Sequence, residues 1–452
     1  MTEPRLELTT TQSGRLLVRA PAPAKERWSW ALYDFANTIF SMNVVTLYFA
    51  VWLVTERGAS NTAYSVATSL SSVAVLLLAP WIGAVSDASR RRKPWVVGFT
   101  LVCAGATLAV APLAHAEASP RLGLLLLLGA FAVANTAYQL ALPPYNAMLA
   151  ELVPESDRGK LSGLGTALGY VGSISGILLV APFVTGGLGI PAGGRQAAFT
   201  PTALLFVLFS LPFFLFCRDP LALPRAQRPR VRWGAIVGEL VSAFREARRH
   251  RGLTRFVVAS YFYQDALGTA ISFMALYAVS VLGLPPGGEI RLFVTLTVPA
   301  IVGAYVAGRA CDRWGPRRTL QVVLAGWMVG LAAIALAPTL AGFWAGGFIV
   351  GLSFGGIWAA ERPLLLTLVP AAEAGRFFGL LALSARAAAI VGPLIWAAIV
   401  DGLSAPLGRN AAYRLAVASL AGLMIVASWL LRGVPDAVAA GGPVSHRIRS
   451  RA

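Results

Sequence analysis

Charged residues are scarce in this chain. They make up 13% of its 452 residues, whereas hydrophobic residues make up 57% and the mean hydropathy is +0.68. A soluble globular domain carries about 25% charged residues. This chain therefore has too little polar surface to cover itself in water. The composition excludes a soluble protein and predicts an integral membrane protein with many spans.

Cysteine and histidine are also scarce, with three of each. Cys103, Cys217 and Cys311 are scattered through apolar segments, which excludes a disulfide framework, and no two histidines have the spacing of zinc ligands. No phosphate-binding loop ending in Lys-Ser or Lys-Thr precedes a helix. We therefore expect no metal, no cofactor and no ATP hydrolysis.

The polar segment 1–27 lacks the apolar stretch of a signal peptide. The first apolar run begins near Trp28 and is too long for such a peptide, so we expect it to remain as a spanning helix. A helix needs about 20 apolar residues to cross the hydrocarbon core. By this measure we predict twelve spans: 29–55, 61–86, 95–114, 121–150, 160–182, 199–217, 253–283, 289–310, 318–338, 341–369, 377–401 and 410–432.

The basic residues test this assignment of spans. Thirty of the 38 arginines and lysines fall on one side of the predicted spans and six on the other, which leaves Arg362 and Arg386 inside spans. The positive-inside rule then predicts that both termini are cytoplasmic. The predicted divisions are an N-terminal tail at 1–27, a six-helix half at 28–217, a cytoplasmic linker at 218–252, a second half at 253–432 and a tail at 433–452.

The linker is strongly basic. Arg245, Arg248 and Arg249 flank a stripe of apolar residues at helical spacing, which predicts an amphipathic helix on the inner leaflet. The stripe consists of Trp233, Ile236, Val237, Leu240, Val241 and Phe244.

The two halves repeat one another in sequence. Leu152-Val153-Pro154 recurs as Leu368-Val369-Pro370, and Asp34 followed by Thr38 recurs as Asp265 followed by Thr269. The loop after the second span, with Gly83 four residues before Asp87, recurs as Gly308 and Asp312. Two duplicated six-helix halves are a transporter architecture, with the binding site between them near the middle of the bilayer.

The two repeated loops resemble the GxxxD…R/K loop of the major facilitator superfamily. The resemblance implies an all-helical membrane fold of twelve spans, and a cluster that latches the cytoplasmic side in the outward-open state. The residues that match the latch are Gly83, Asp87, Arg91, Gly308, Asp312 and Arg317.

Two further segments resemble the autophagy-related vacuolar effluxer-like family, which is named for vacuolar amino-acid efflux. These are Trp30–Thr38 and Gly375–Leu380, the second followed by Arg386 and Gly392-Pro393. Arg362 fits the arginine of that family's tenth helix, although Ala360 and Pro363 replace the small hydroxyl residues expected beside it. The fourth span has no arginine after its first residue, Arg121, and the fifth has no internal Gly-Pro pair, which disfavours a proton-coupled drug antiporter.

Polar side chains inside spans are costly, so those present need partners, water or a function. We expect Arg362, which Glu361 on the same helix cannot shield, to bind an anion, and Arg386 to have a structural partner. Of Asp34 and Asp265, one should titrate and the other stay ionised against an arginine. A static network of ion pairs is the alternative. The candidates are Tyr33, Asp34, Asn37, Asn135, Tyr138, Gln139, Gln264, Asp265, Glu361, Arg362 and Arg386.

The sequence thus predicts a secondary transporter for a small polar solute, anionic or zwitterionic and amino-acid-like, working by alternating access with protons as a candidate coupling ion. The main alternative is efflux of drugs or other xenobiotics. An intramembrane enzyme is disfavoured because no histidine lies deep in a span, and a receptor or scaffold because no large soluble domain is present. We expect a monomer in the bacterial inner membrane, whose partners are a small-molecule substrate and the lipid bilayer, and no nucleic acid.

Overall fold

A computed structural model describes residues 7–10, 16–19, 22–57, 59, 61–115, 120–219, 236–283 and 288–435. Trp233 of the predicted linker stripe and most of the predicted C-terminal tail lie outside these residues. Nearly all of the described chain is helical. The exception is a short antiparallel hairpin, β1 (Glu7–Thr10) and β2 (Leu16–Arg19), in the segment predicted as a polar tail. Leu8, Leu17 and Val18 give this segment strand-forming residues.

The first half contains seven α-helices. They are α1 (Ala24–Phe40), α2 (Asn61–Ser89), α3 (Lys93–His115), α4 (Pro120–Leu140), α5 (Leu142–Leu152), α6 (Arg158–Thr185) and α7 (Phe199–Phe216). Wide π-helical turns at Ser41–Tyr48 and Trp52–Glu56, joined by an α-helical turn at Phe49–Val51, continue α1.

A linker helix and six long helices follow. They are α8 (Ile236–Ala247), α9 (Leu253–Leu282), α10 (Gly288–Trp314), α11 (Pro316–Leu336), α12 (Leu340–Leu368), α13 (Ala374–Leu407) and α14 (Arg409–Leu431).

Helices occur at each of the twelve predicted spans, and the predicted fold class is confirmed. Eight of the described segments are by themselves long and apolar enough to cross a membrane. Large apolar side chains such as Leu125, Leu178 and Leu394 are about two-thirds exposed. Such exposure suits a surface whose solvent is lipid.

The predicted span 121–150 is broken at Ala141, between α4 and α5. The cause is the pair Pro143 and Pro144, because proline has no amide proton and its ring clashes with the carbonyl one turn earlier. The break lies beside the space between the two halves, where Leu142 and Pro143 face a cavity.

The two halves meet most closely at one end of the bundle, which we call the basic end. It contains the loop 90–93, the linker helix α8 and the residues around Gly433. Here α2 crosses α13 and α6 crosses α10. A Cβ at Gly83 would overlap the backbone of Gly375, and a Cβ at Gly163 would lie 2.7 Å from the Cα of Gly308. Glycine at these crossings therefore allows direct contact between backbones.

Candidate functional site

A cavity of about 470 Å³ lies between the two halves. Eight of the eleven residues predicted for binding line it, drawn from α1, α4, α9, α12 and α13. They are Asp34, Asn37, Tyr138, Gln139, Gln264, Glu361, Arg362 and Arg386. The cavity extends away from the basic end as far as Thr46, Ile271 and Thr297.

Asp34 and Arg362 form an ion pair between the two halves. Arg362 donates from Nη1 to Oδ2 of Asp34 at 2.7 Å and from Nη2 to Oδ1 at 3.1 Å. The Asp34 side chain is 6% exposed and that of Arg362 is 13% exposed. The guanidinium also lies 5.6 Å from the ring centre of Trp30 and 5.7 Å from that of Tyr145. These rings add cation–π contacts to the pair.

Trp30 and Tyr145 hold one another as well as the arginine. Their rings stack with centres 4.7 Å apart. The Trp30 indole donates to the carbonyl of Tyr145 at 3.0 Å, and the Tyr145 hydroxyl donates to the carbonyl of Trp30 at 2.9 Å. This reciprocal arrangement joins α1 to α5 and fixes the aromatic wall against which Arg362 lies.

Glycines of α6 determine how close α1 comes to the cavity. A Cβ at Gly165 would lie 2.7 Å from Oδ2 of Asp34, and a Cβ at Gly172 would overlap the carbonyl of Phe35. The Thr38 hydroxyl donates to the carbonyl of Gly169. The glycine-rich fifth span thus places Asp34 within reach of the opposite half.

Arg386 lines the same cavity and forms no ion pair with a carboxylate of the described residues. This reverses the expectation from sequence, in which Arg362 was the unshielded cation and Arg386 the paired one. The reason is that Asp34, 328 residues away in sequence, neutralises Arg362. Glu361, the neighbouring residue on the same helix, forms no ion pair with Arg362 within the described residues, although the two charges attract one another.

Glu361 also lines the cavity, and its carboxylate has hydrogen-bond donors from α9. The Tyr263 hydroxyl donates to Oε1 at 2.9 Å, and the Gln264 amide donates to the two carboxylate oxygens at 3.3 and 3.4 Å. The side chain is therefore held in place by neutral donors, and it forms no ion pair with a cation of the described residues.

Tyr33 and Asn135 do not line the cavity, contrary to their selection as binding candidates. The Tyr33 hydroxyl pairs with Thr100 at 2.7 Å, and Asn135 donates to Ser71 at 3.0 Å. Successive helical residues point about 100° apart, so Tyr33 turns into the first half when Asp34 faces the cavity. Asn135 still acts indirectly, because its amide oxygen accepts from Gln139 at 3.2 Å.

Asp265 is the third candidate that lies outside the cavity. It is 1% exposed, and its Oδ1 accepts from the backbone amide of Gly392 in α13 at 2.7 Å. Among the described residues, neither its Oδ2 nor the hydroxyl of Thr269, one turn further along α9, has a hydrogen-bond partner. The sequence repeat placed Asp265 with Asp34, but the rotation of α9 directs it toward α13.

Asp87 joins α2 to the start of α13 at the basic end. Its Oδ1 accepts from the amide of Gly375 at 3.1 Å and its Oδ2 from the amide of Arg376 at 2.8 Å. Amides at a helix N-terminus favour a negative charge. We call this contact the Asp87 junction.

The arginine of this junction is Arg92, not Arg91 as predicted. Arg92 is 1% exposed and donates to Asp87 at 2.7 Å, to Glu151 at 2.6 Å and to the carbonyl of Ala371 at 2.7 Å. Arg90 has a φ of 50°, a left-handed turn that redirects the chain after α2. The choice among four consecutive basic residues depends on this turn.

Asp312 forms the corresponding contact on the other side, the Asp312 junction. Its carboxylate accepts from the amides of Gly159 and Lys160 at the start of α6, both at 2.8 Å. Asp312 lies beyond the predicted span 289–310, and burial raises the pKa of its carboxyl to about 6, against the lowering effect of those amides. Arg317 of the predicted latch donates to the carbonyls of Arg432 and Val434 at 3.0 Å.

The linker helix α8 contacts the Asp87 junction. Ser242 accepts a hydrogen bond from the Arg376 side chain, and α8 packs against both α2 and α13. His250 lies 3.7 Å from Glu373 and meets the ring of Phe377 edge-on. Val241 and Phe244 of the predicted apolar stripe are about half exposed, while Ala243 and Ala247 are buried.

Residues 51–437 match the family model described as "Vacuole effluxer Atg22 like". The chain belongs to this family. The match covers most of the chain and includes Gly375–Leu380, whereas Trp30–Thr38 lies before its first residue. This is a family of effluxers, so the protein is a membrane transporter of the major facilitator superfamily and not an enzyme.

Relatives of this Atg22-like protein occur in bacteria and fungi. It is 29% identical over 423 residues to the MFS-type transporter YxiO of Bacillus subtilis, covering 89% of this chain and 94% of that protein. It is 28% identical over 173 residues to autophagy-related protein 22 of Botryotinia fuckeliana, covering 34% of this chain and 25% of that protein. It is 25% identical over 297 residues to multidrug resistance protein MdtG of Yersinia enterocolitica, covering 65% and 67%.

Solved structures of similar fold come from the same superfamily. The human organic anion transporter MFSD10 has a TM-score of 0.69 at 14% identity, covering 90% of this chain and 100% of that one. The proton:xylose symporter XylE has a TM-score of 0.66 at 15% identity, covering 91% and 96%. At this level of identity the likeness establishes the fold of the Atg22-like protein.

Sequence reasoning missed four residues of the site. Trp30 and Tyr145 were not recognised as the wall beside Arg362, and Arg92 and Glu151 were not recognised at the Asp87 junction. The sequence repeat could not identify Glu151, because Thr367 occupies the corresponding position of the second half.

Proposed function

We propose that this protein is a secondary transporter for small anionic or zwitterionic solutes of the amino-acid type. The observation that carries the proposal is that two charged groups in the cavity, Arg386 and Glu361, have no ion-pair partner among the described residues. Arg386 forms no ion pair with a described carboxylate, and Glu361 accepts hydrogen bonds only from neutral donors and from no described cation.

The guanidinium of Arg386 suits a carboxylate. Arginine keeps its charge at all physiological pH values, and its planar fork donates two parallel hydrogen bonds to a carboxylate. An ammonium group on the same solute would compensate Glu361. The cavity volume of about 470 Å³ falls within the range of about 300–1,000 Å³ typical of small-molecule sites, which supports a solute of this size.

Alternating access would proceed by rocking of the two halves. In the present conformation the Asp87 junction, the Asp312 junction and the Asp34–Arg362 pair all join the halves on the basic side of the cavity. Opening the cavity at the basic end requires all three contacts to separate. Solute bound at Arg386 would then leave or enter from that side.

The membrane and orientation follow from charge. Thirty basic residues on one side against six on the other support a cytoplasmic basic end, and hence two cytoplasmic termini. We propose the bacterial plasma membrane as the location. Protease accessibility of a tag at each terminus in inside-out vesicles tests this orientation, and protection of either tag would contradict it.

Binding is tested by thermal unfolding of the purified protein with L-glutamate, L-alanine, L-lysine and D-xylose. A ligand that binds the folded state raises the melting temperature. We expect stabilisation by L-glutamate or L-alanine, loss of that stabilisation in Arg386→Ala, and partial retention in Arg386→Lys. Arg121→Ala, which removes an exposed arginine at the start of α4, is the matched control. No stabilisation by either amino acid, or unchanged stabilisation in Arg386→Ala, would contradict the proposal.

Efflux of xenobiotics is the second candidate, because the cavity also has an aromatic wall. Trp358 and Phe354 lie with ring centres 5.1 Å apart, and Tyr170 contacts both. The similarity to multidrug resistance protein MdtG adds support. Tetraphenylphosphonium, a lipophilic cation, separates the two candidates: Arg386 should disfavour it, so its uptake in preference to amino acids would favour efflux of xenobiotics.

A further inference from the structure

We propose that Asp265 is the binding site for the coupling proton, outside the solute cavity, and that it acts on the solute and on the basic end through α13. The proposal rests on the proposed transport function. It starts from a buried carboxylate for which that function gives no role.

The surroundings of Asp265 are those of a group that exchanges a proton. The side chain is 1% exposed, and no group of the described residues donates a hydrogen bond to its Oδ2. A buried carboxylate without a cation is costly in its charged form. Asp34, its counterpart in the first half, has Arg362 as a partner, whereas Asp265 forms no ion pair within the described residues. The second half therefore retains the carboxylate of the repeat without its compensating charge.

On the helices around Asp265, the charged groups contact other partners, face the cavity or are exposed, and none forms an ion pair with Asp265 within the described residues. Tyr261, on α9, interacts electrostatically with Asp265. On α13, Arg386 faces the cavity and Asp401 is exposed; on α12, Glu361 and Arg362 have the partners given above. On α14, Arg414 donates to the carbonyls of Ala335 and Ala337, and Tyr413 meets the ring of Trp396 edge-on.

The contact with Gly392 connects this carboxylate to α13. A Cβ at Gly392 would lie 3.0 Å from the carboxyl carbon of Asp265 and would overlap Thr269, so the two helices touch at this glycine. The next residue is Pro393, which has no amide proton and so leaves the carbonyl of residue 389 without its helical donor. Asp265 thus accepts from the helix at a point where the hydrogen bonding of α13 is already interrupted.

Protonation changes this contact in a defined way. One proton adds to the Asp265 carboxylate, its charge is lost, and the hydrogen bond from the Gly392 amide is no longer charge-assisted and weakens. The new O–H group needs an acceptor, and the Thr269 hydroxyl, which lacks a partner, faces the same glycine. The proton therefore shifts the balance between a bond to α13 and a bond within α9.

α13 carries this change to two other places. Arg386 lies six residues before Gly392, about 9 Å along the helix, and the amide of Arg376 at the Asp87 junction lies about 15 Å further. A small rotation or shift of α13 at Gly392 would therefore move both Arg386, where the solute is proposed to bind, and the Asp87 junction at the basic end. This is how proton binding outside the cavity would alter solute binding inside it.

The proton is tested directly by infrared difference spectroscopy during a pH titration of the protein in lipid nanodiscs. We expect a carboxylic-acid C=O band that titrates in the wild type and is missing in Asp265→Asn. Asp401→Asn, which neutralises an exposed carboxylate on α13, is the matched control and should keep the band. Persistence of that band in Asp265→Asn would overturn the proposal.

Coupling is tested in proteoliposomes with L-glutamate as the solute. We expect Asp265→Asn to lose at least about 10-fold in accumulation driven by a pH gradient, while L-glutamate still raises its melting temperature. Accumulation at the wild-type level would overturn the proposal. If Asp265→Asn fails to fold, Asp265→Glu decides: a displaced pH midpoint of uptake supports the proposal, and an unchanged midpoint overturns it. If the wild type neither binds nor accumulates L-glutamate or L-alanine, the proposed function fails, and the infrared titration alone decides on Asp265.

Discussion

Asp34 and Arg362, 328 residues apart, form a two-pronged ion pair that joins the first helix of one half to the fourth long helix of the other. The pair lies on the basic side of the cavity, with Trp30 and Tyr145 against the guanidinium. Its position gives it two roles, in stability and in closing the cavity, which substitutions can separate.

Removing one member of this pair should destabilise the protein strongly. Arg362→Gln leaves Asp34 buried and uncompensated, a change that typically costs about 3–5 kcal/mol. The double variant Asp34→Asn/Arg362→Gln removes both charges and should recover a large part of that loss. Thermal unfolding in detergent measures both. The control is Arg195→Ala, which breaks an exposed pair with Glu56 and should cost no more than about 1 kcal/mol. Equal losses in Arg362→Gln and Arg195→Ala would contradict this account.

The two junctions should differ in their importance. Asp87→Asn removes the charge that faces the buried Arg92, whereas the Asp312 junction consists of the amides of Gly159 and Lys160. We therefore expect Asp87→Asn to open the basic end and Asp312→Asn not to open it, because loss of the Asp312 charge removes a desolvation cost from the closed state. The measurement is labelling of Thr166→Cys by a membrane-impermeant maleimide from the basic side, with the three native cysteines replaced. Equal labelling of the two variants would show that Arg92 does not strengthen the Asp87 junction.

The glycine crossing of α2 and α13 should not tolerate even alanine. A Cβ at Gly83 meets the backbone of Gly375, so Gly83→Ala must push the two helices apart. We expect an increase of at least about 5-fold in labelling of Thr166→Cys, since a ratio of this size corresponds to about 1 kcal/mol. Gly98→Ala, in α3, is the control because nothing lies within 4 Å of its added Cβ. It should leave labelling unchanged and stabilise the helix by up to about 1 kcal/mol. Similar labelling in the two variants would contradict the close crossing.

Acidification should favour the closed basic end through Asp312. The pKa of this carboxyl is about 6 in the closed state, and once hydrated in an open state it would return toward its ordinary value of 3.8. The closed state therefore binds the proton more tightly, and closure should increase as the pH falls through about 6. Maleimide reacts with the thiolate, so labelling of Thr166→Cys is divided at each pH by that of the same variant after denaturation. We expect this ratio to fall roughly 3-fold between pH 7.5 and 5.5, and its pH dependence to weaken in Asp312→Asn. A labelling ratio that rises as the pH falls would show that acid opens the basic end, and would contradict the role given to Asp312.

The spans and both junction aspartates could be predicted from sequence. An apolar run long enough to cross the membrane, or a short motif repeated in both halves, can be recognised within a single segment of the chain. Gly83 with Asp87 and Gly308 with Asp312 are each four residues apart, and each pair needs only its own helix end. The choice of Arg92 over Arg91 could not be predicted, since it depends on the left-handed turn at Arg90. One dihedral angle there decides which of four basic side chains is buried.

The partners of the buried charges were the least predictable part of the site. Whether Arg362 or Arg386 is neutralised depends on how two independently folded halves dock, and no local pattern encodes a contact over 328 residues. For Asp265, the sequence could not predict how α9 is rotated about its own axis. The repeat fixes its position along α9, but a turn of the helix about its axis decides between the cavity and Gly392.

The break between α4 and α5 has a consequence for how this cavity can be studied. Pro143 and Pro144 supply no amide protons, so the carbonyls of Gln139 and Leu140 lose their helical donors beside the cavity. Part of the capacity to accept a hydrogen bond there belongs to the main chain, where alanine scanning of side chains cannot detect it. Replacing the proline itself is the informative change, since Pro143→Ala returns an amide to the Gln139 carbonyl and withdraws that acceptor from water or solute.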